Sequence, residues 1–339
     1  MKQVLFYAPK DIRIEEVAKP VPGKGEVLIK NAVSLTCGTD VKTYIRGYRF
    51  EPPFGFGHEA AGIIEAVGEG IEKFKVGDRV VAHNTAPCHQ CFYCKKGLHS
   101  LCEDLLLNMG AHGEFQVIPE RIVRQNMFHI PNEMTFKQAA LTEPFSCAVY
   151  GTDQIPVEMG DVVAVNGCGP IGLMFIRLIT LRGAKVIACD MHEKRLELAK
   201  KMGAQHIVKA KNAEEQIKMV RELTEDSRGV DIAVEAVGKP EVWDIAINMV
   251  RPGGFVLCFG GTAKGLKVEV DTTLLHYSQI TVKGVYHTTP RHVAIAFELL
   301  KRGVIKEKDF VNKEYTIDKI EDAIIEHSYG EVIKNCIVY

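Results

Sequence analysis

The sequence predicts an α/β protein in two parts, a small β-rich domain and a doubly wound, parallel-sheet domain. Three observations carry this expectation. Residues 1 to about 130 consist of short extended runs broken by glycine and proline. From about 150 onward, short β-branched strands alternate with helical segments, the pattern of βαβ units. The chain has 339 residues, enough for two full hydrophobic cores.

In the first part the extended runs are Val4-Ala8, Ile12-Val17, Glu26-Val33, Ala61-Val67, Arg79-His83 and Phe115-Ile118. The punctuators PVPGKG (20–25) and PPFGFG (52–57) separate them. In the second part, Asp161-Val165 reads as a strand and Ile171-Leu181 as an apolar helix. Lys185-Asp190 is the next strand, and Glu193-Met202 has helical spacing of its apolar residues. Strands follow at Asp231-Val237, Gly254-Phe259 and Gln279-Tyr286, with helices near 213–224 and 241–250. The last fifty residues carry a helix at 291–302, a strand at Phe310-Tyr315, a helix at Ile317-His327 and a final strand, Val332-Val338. The expected divisions are 1–150, 151–287 and 288–339.

Composition narrows the function classes. Apolar residues make up 46% and charged residues 25%, as in a soluble globular protein. A net charge of -1 gives no bulk attraction to nucleic acid or to an anionic membrane. MKQVLFYAPK lacks the pattern of a secretory signal, and no apolar run has the roughly eighteen residues of a spanning helix. Ten clustered and scattered cysteines in such a chain favour metal binding or catalysis over disulfides, and a cytoplasmic location is expected.

Gly167-Cys168-Gly169-Pro170-Ile171-Gly172 lies between a predicted strand and a predicted helix. That context makes it a dinucleotide fingerprint. Gly167 permits the tight turn, Gly169 admits the pyrophosphate to the backbone, and Gly172 allows close helix–strand packing. Pro170 and Ile171 open the helix whose N-terminus faces the phosphates. Asp190 ends the second strand, where a carboxylate accepts ribose hydroxyls and repels a 2′-phosphate, so NAD is expected over NADP. Lys194 and Arg195 follow as possible phosphate contacts that also begin the next helix.

The spacing C-x2-C-x2-C-x7-C over Cys88, Cys91, Cys94 and Cys102 suits one tetrahedral Zn²⁺. Four thiolates leave no position open for substrate, so this site is expected to be structural. A more scattered set comprises Cys37-Gly38-Thr39-Asp40, His58-Glu59 and Glu143-Pro144-Phe145. Taken singly, these read as a buried thiol, a core histidine and a helix cap, with Pro144 at the first helical position and Glu143 as N-cap.

Taken together, these motifs resemble the zinc-dependent medium-chain dehydrogenases, the alcohol and polyol dehydrogenase family. GHEAAGIIEAVGEGI (57–71), CGTD (37–40), the four-cysteine lobe (about 86–103), TEPFSCAVYG (142–151) and the nucleotide fingerprint occur in that family's order. The resemblance covers essentially the whole chain. It implies a GroES-like catalytic domain built from both ends of the chain, a Rossmann domain between them, and a catalytic zinc in their cleft. Cys37 and His58 are the implied ligands. Glu59 and Glu143 fill or exchange at the remaining places, with Cys147 as the rival third ligand. Thr39 is the implied relay hydroxyl, and Asp40 the acceptor that orients His58.

The expected reaction is hydride transfer from a secondary alcohol of a polyol, sugar or cyclitol to NAD, with two zinc ions per chain. L-Threonine 3-dehydrogenase is the alternative activity, weakened by Lys42, where that branch usually carries histidine. The loop Tyr44-Ile45-Arg46-Gly47-Tyr48-Arg49-Phe50 is an expected pocket wall, and His112 in MGAHGEF is unassigned between site and core. A zinc-ribbon module binding nucleic acid or protein is the non-enzyme alternative, but Lys95 and Lys96 make no sustained basic stripe. A homodimer or homotetramer is expected, paired through the sheet edge at Gln279-Tyr286.

Overall fold

The computed structural model describes residues 1–339. It divides into two compact units, Met1–Ser146 with Thr288–Tyr339, and Cys147–His287. No helix is long and apolar enough to cross a membrane.

In the first unit a seven-stranded sheet is centred on Val27–Leu35, flanked by Ala60–Val67 on one side and by Lys334–Val338 on the other. The strand Val27–Leu35 buries nearly all of its side chains, and Val27 and Ile29 join Ile64, Val80 and Ile122 in one core cluster. The last strand of the chain pairs antiparallel with it, Cys336 opposite Leu35, so the C-terminus is stitched in beside residues 34–36. A second cluster gathers Val4, Phe6, Phe56, Ile320, Ile324 and Ile337. Burial of each large side chain there contributes roughly 1.5–3 kcal/mol.

The second unit is a six-stranded, all-parallel sheet. Its order is His206–Val208, Lys185–Cys189, Val162–Asn166, Val230–Glu235, Val250–Cys258, Thr281–Gly284. The first strand in sequence is third in the sheet, so the strand order reverses beside it. Crevices at such a reversal, outside the carboxyl ends of the strands, are where α/β sheets bind ligands. The helix Pro170–Leu181 starts there, with proline at a first-turn position where its missing N–H costs nothing.

Three local expectations need correction. Residues 44–46 are not loop: a helix runs Gly38–Arg46, with Cys37 as its N-cap. Glu143 is not an N-cap, because the helix Thr142–Asp153 already includes it in the first turn. Pro144 is still tolerated there, since early N–H groups have no intrahelical acceptor to lose. The strand expected at Gln279-Tyr286 spans only Thr281–Gly284, and the helix Thr272–Tyr277 before it ends in a turn through Ser278.

Candidate active site

The helix Gly38–Arg46 places three residues at one end of the sheet. Cys37 Sγ accepts from Thr39 N at 3.4 Å, and Cys37 N donates to Asp40 Oδ2 at 2.9 Å, so thiol and carboxylate are fastened across the same turn. Thr39 is half-buried at the helix start. Asp40 is 1% exposed, and its Oδ1 lies 3.2 Å from His58 Nδ1. Burial works against the carboxylate, but the charge of His58 and the contacts from His112 and His58 outweigh it and hold Asp40 well below the usual carboxylate range. An ionised Asp40 only accepts, so it favours hydrogen on His58 Nδ1, the nitrogen facing it, and a bond to a metal would fall to Nε2 once that nitrogen is deprotonated.

His58 and Glu59 lie just before the strand Ala60–Val67, while Leu35 N donates to Glu59 O at 2.9 Å. One donor atom from each of Cys37, His58 and Glu59 falls within 4.8 Å of the others. A thiolate, an imidazole with a free lone pair and a carboxylate suit Zn²⁺.

Glu59 is not alone. Lys334 Nζ lies 2.7 Å from both of its carboxylate oxygens and donates to Thr36 O at 3.0 Å. Both side chains are fully buried. Burial penalises the ammonium, yet Glu59 keeps Lys334 above its ordinary pKa. This lysine is absent from the sequence-based site, although one charge within the apolar run VIKNCIV was a visible signal.

Glu143 projects from the first turn of Thr142–Asp153, and its Oε1 lies 3.8 Å from His83 Nε2. His83 Nδ1 accepts from Thr85 N at 3.1 Å, which places the proton of a neutral ring on Nε2, toward Glu143. Burial pushes the Glu143 carboxyl up to about 7, with His58 pulling the other way and Glu59 adding to the rise. A buried carboxylate in that condition gains from a cation nearby. Cys147 follows one helical turn later and is the first residue of the second unit.

The four-cysteine segment is separate. The Sγ atoms of Cys88, Cys91, Cys94 and Cys102 lie within 4.8 Å of one another, and Cys91 Sγ is 4.0 Å from Cys102 Sγ. Four sulfurs around Zn²⁺ at about 2.3 Å would stand about 3.8 Å apart. Gln90 N and Cys91 N donate to Cys88 Sγ at 3.4 and 3.3 Å, and these contacts bring the Cys88 thiol down to about 6. Burial pushes Cys94 up to about 12, a group that needs a metal to hold a thiolate. His89 and His99 sit edge to face, ring centroids 4.7 Å apart, and His89 Nε2 contacts Gln125 Oε1 at 3.0 Å.

In the second unit the fingerprint loop connects Val162–Asn166 to Pro170–Leu181. A Cβ on Gly172 would stand 1.8 Å from Gly167 O, so only glycine lets the helix approach the turn this closely. Asp190 serves the loop itself: Oδ2 accepts from Cys168 N at 2.7 Å and Oδ1 from His192 N at 2.8 Å. The Arg195 guanidinium reaches to 3.9 Å of where a Cβ on Gly169 would sit. Thus Gly167, Gly169, Pro170, Ile171, Gly172, Asp190 and Arg195 are assembled around one turn. Glu235 was missed: fully buried, it accepts from Val237 N and Gly238 N at 2.8 and 2.7 Å and from Gly260 N at 3.2 Å. It locks together the loops after two adjacent strands.

Residues 23–131 match the alcohol dehydrogenase GroES-like domain, and residues 170–302 match the zinc-binding dehydrogenase family. Sorbitol dehydrogenase of Bacillus subtilis is 33% identical over 96% of this chain and 92% of its own. L-Threonine 3-dehydrogenase of Pyrococcus furiosus is 34% identical over 91% of this chain and 89% of its own. The crystal structure of 2R,3R-butanediol dehydrogenase from Bacillus subtilis superposes with a TM-score of 0.88 at 28% identity, covering 100% of this chain and 99% of that one. A zinc-binding dehydrogenase structure from Sinorhizobium meliloti, bound to NADP, gives 0.92 at 25% identity with the same coverage.

Proposed function

The chain belongs to the zinc-dependent medium-chain dehydrogenase family, and from that premise we propose that it oxidises a secondary alcohol of a polyol, sugar or cyclitol, passing the hydride to NAD. The observation that carries the proposal is the cluster of Cys37, His58 and Glu59 backed by Asp40.

Cys37 and His58 are the proposed zinc ligands. Glu143 is favoured over Glu59 for the third place, because both Glu59 oxygens are already engaged by Lys334. Glu59 remains the carboxylate able to exchange with it. Cys88, Cys91, Cys94 and Cys102 are the proposed ligands of the structural zinc. When bound, the catalytic zinc supplies Lewis acidity that brings an alcohol's pKa toward neutrality. Nicotinamide supplies the hydride acceptor. Asp40 faces His58 Nδ1 at 3.2 Å, so Nε2 is the nitrogen that would bind the zinc. Thr39 carries the hydroxyl proposed to accept a hydrogen bond from the substrate alcohol and to pass its own proton on toward water as it takes the substrate's, at a helix start where its backbone N–H is already committed to Cys37. His83 Nε2 faces Glu143 Oε1 at 3.8 Å, outside hydrogen-bond distance.

The relatives named above support a polyol, and L-threonine is the second reading because the Pyrococcus enzyme is as similar in sequence. NADH formation across linear polyols, vicinal diols, cyclitols and L-threonine tests the choice. Run with NADP as well, the same assay tests Asp190: Asp190→Gly should lower the NAD/NADP rate ratio by roughly tenfold, and an unchanged ratio would remove Asp190 from the ribose site.

We further propose that two copies associate through the edge strand Thr281–Gly284. All four residues are exposed, and Val282, Tyr277 and Tyr286 present apolar surface around it. An open edge of this kind is a template for pairing. Val282→Pro removes one N–H from the ladder, and sedimentation should show smaller particles than for the unsubstituted chain. An unchanged size would rule out this edge.

A further inference from the structure

We propose that His112 is a positioning residue for the metal-binding imidazole of His58, acting through Asp40. The inference rests on the reading of Cys37 and His58 as ligands.

His112 is 0% exposed and belongs to no part of the mechanism above. Its Nε2 lies 3.5 Å from Asp40 Oδ2, while the other oxygen of the same carboxylate lies 3.2 Å from His58 Nδ1. Asp40 is thus flanked by two imidazoles, one on each oxygen. An ionised carboxylate only accepts, so hydrogen on each facing nitrogen is the arrangement that suits both contacts, which stand at ion-pair distance rather than in hydrogen-bond geometry. The opposite nitrogen of His112, Nδ1, is 2.8 Å from Ser34 Oγ, and Ser34 Oγ is 2.8 Å from the Tyr339 hydroxyl. Ser34 Oγ can donate to His112 Nδ1, which leaves the ring proton on Nε2, the nitrogen that faces Asp40, while the Tyr339 hydroxyl beside Ser34 donates to Ala111 O at 3.3 Å.

The surroundings are built to keep this ring in place. His112 N donates to Phe56 O and Val4 N donates to His112 O, both at 2.9 Å. The Gln3 side chain donates to His112 O at 3.1 Å, and the Asn31 side chain donates to the carbonyls on either side, Ala111 at 3.2 Å and Gly113 at 2.8 Å. Gly57, immediately before His58, has φ +86, and a Cβ there would stand 2.4 Å from His112 Cδ2. The residue before the ligand is therefore small where the His112 ring presses against it. A histidine serving only to fill the core needs no polar partner at both nitrogens. Without His112, Asp40 Oδ2 keeps its bond from Cys37 N but loses the second group that stops the carboxylate from turning. His58 would then be less well held.

Supporting hydrogen bonds of this kind are worth 10- to 100-fold in metal affinity, and His112 stands one step further out. The test is cobalt(II) substitution of the full-length protein, with the d–d spectrum and a chelator competition read at the Cys37–His58 site. His112→Leu fills the space without a donor and should weaken cobalt retention roughly tenfold and change the d–d bands. His112→Gln keeps an amide donor toward Asp40 and should restore retention to within about threefold of the unsubstituted protein. Ser34→Ala, a smaller change that serves if the leucine variant does not fold, should weaken retention roughly threefold. Unaltered cobalt affinity and spectrum in the leucine variant, or in Ser34→Ala where the leucine variant cannot be obtained, would overturn the proposal. Equal losses in the glutamine and leucine variants would do the same. An unsubstituted chain holding metal only at the four-cysteine site would instead overturn the ligand reading, and the proposal with it.

Discussion

Cys37→Ser should lower kcat by roughly a thousandfold or more while leaving thermal stability within a few degrees, because serine keeps the helix cap but removes the thiolate. A serine Oγ can accept the Thr39 N–H that Cys37 Sγ now holds, and the link from the backbone N of residue 37 to Asp40 is untouched, so the local fold has reason to persist. Cys91→Ser should behave in the opposite way. Its neighbours Cys88, Cys94 and Cys102 lose a closed coordination shell, and residues 88–102 contain only one turn of α-helix and one of 3₁₀ helix to hold them otherwise. A structural zinc contributes folding free energy outright, so the cost should appear as a fall in melting temperature and in soluble yield. Both variants should lose about one zinc per chain. What separates them is which property goes with the metal. Matched losses of activity with no change in stability would reverse the two roles.

Lys334→Met should destabilise the first unit by about 3–5 kcal/mol, since it strands Glu59 as an uncompensated buried charge. Methionine nearly matches lysine in length, so the effect is electrostatic rather than a cavity. Thr36 O also loses its donor. Replacing both partners, Lys334→Met with Glu59→Leu, should recover more than half of that loss, because an apolar pair needs no mutual charge compensation. Urea unfolding followed by circular dichroism makes the comparison. If the single variant were as stable as the unsubstituted chain, the buried ion pair would not exist in solution.

Lys334 also shows where sequence reasoning stops. It stands 275 residues from Glu59, and only the antiparallel pairing of Lys334–Val338 with Val27–Leu35 brings them together. The local text offers a clue, one lysine within an apolar strand, but no indication of its partner. His83 and Glu235 are hidden for a different reason: a polar residue closing a strand looks alike whether it meets water or buried backbone N–H groups. The fingerprint loop and the cysteine lobe were legible because their geometry is local. Gly167 to Gly172 lie within six residues, and Cys88 to Cys102 within fifteen. The helix Gly38–Arg46 is hard to read from its sequence, GTDVKTYIR, because one glycine and four β-branched residues give it low helix propensity. Its stability comes from the capping of Cys37 and Asp40 and from packing, which propensity does not register. The cap expected at Glu143 fails because the helix begins at Thr142, two residues before Pro144.

The pairing of site chemistry with reaction is tested most directly by initial rates of NADH formation with the polyol, diol, cyclitol and L-threonine panel, using zinc-replete protein and Cys37→Ser side by side. The expected result is turnover of a polyol or cyclitol well above that of L-threonine, lost in Cys37→Ser. Turnover of L-threonine alone would contradict the substrate class, and turnover that survives Cys37→Ser would contradict the catalytic centre itself.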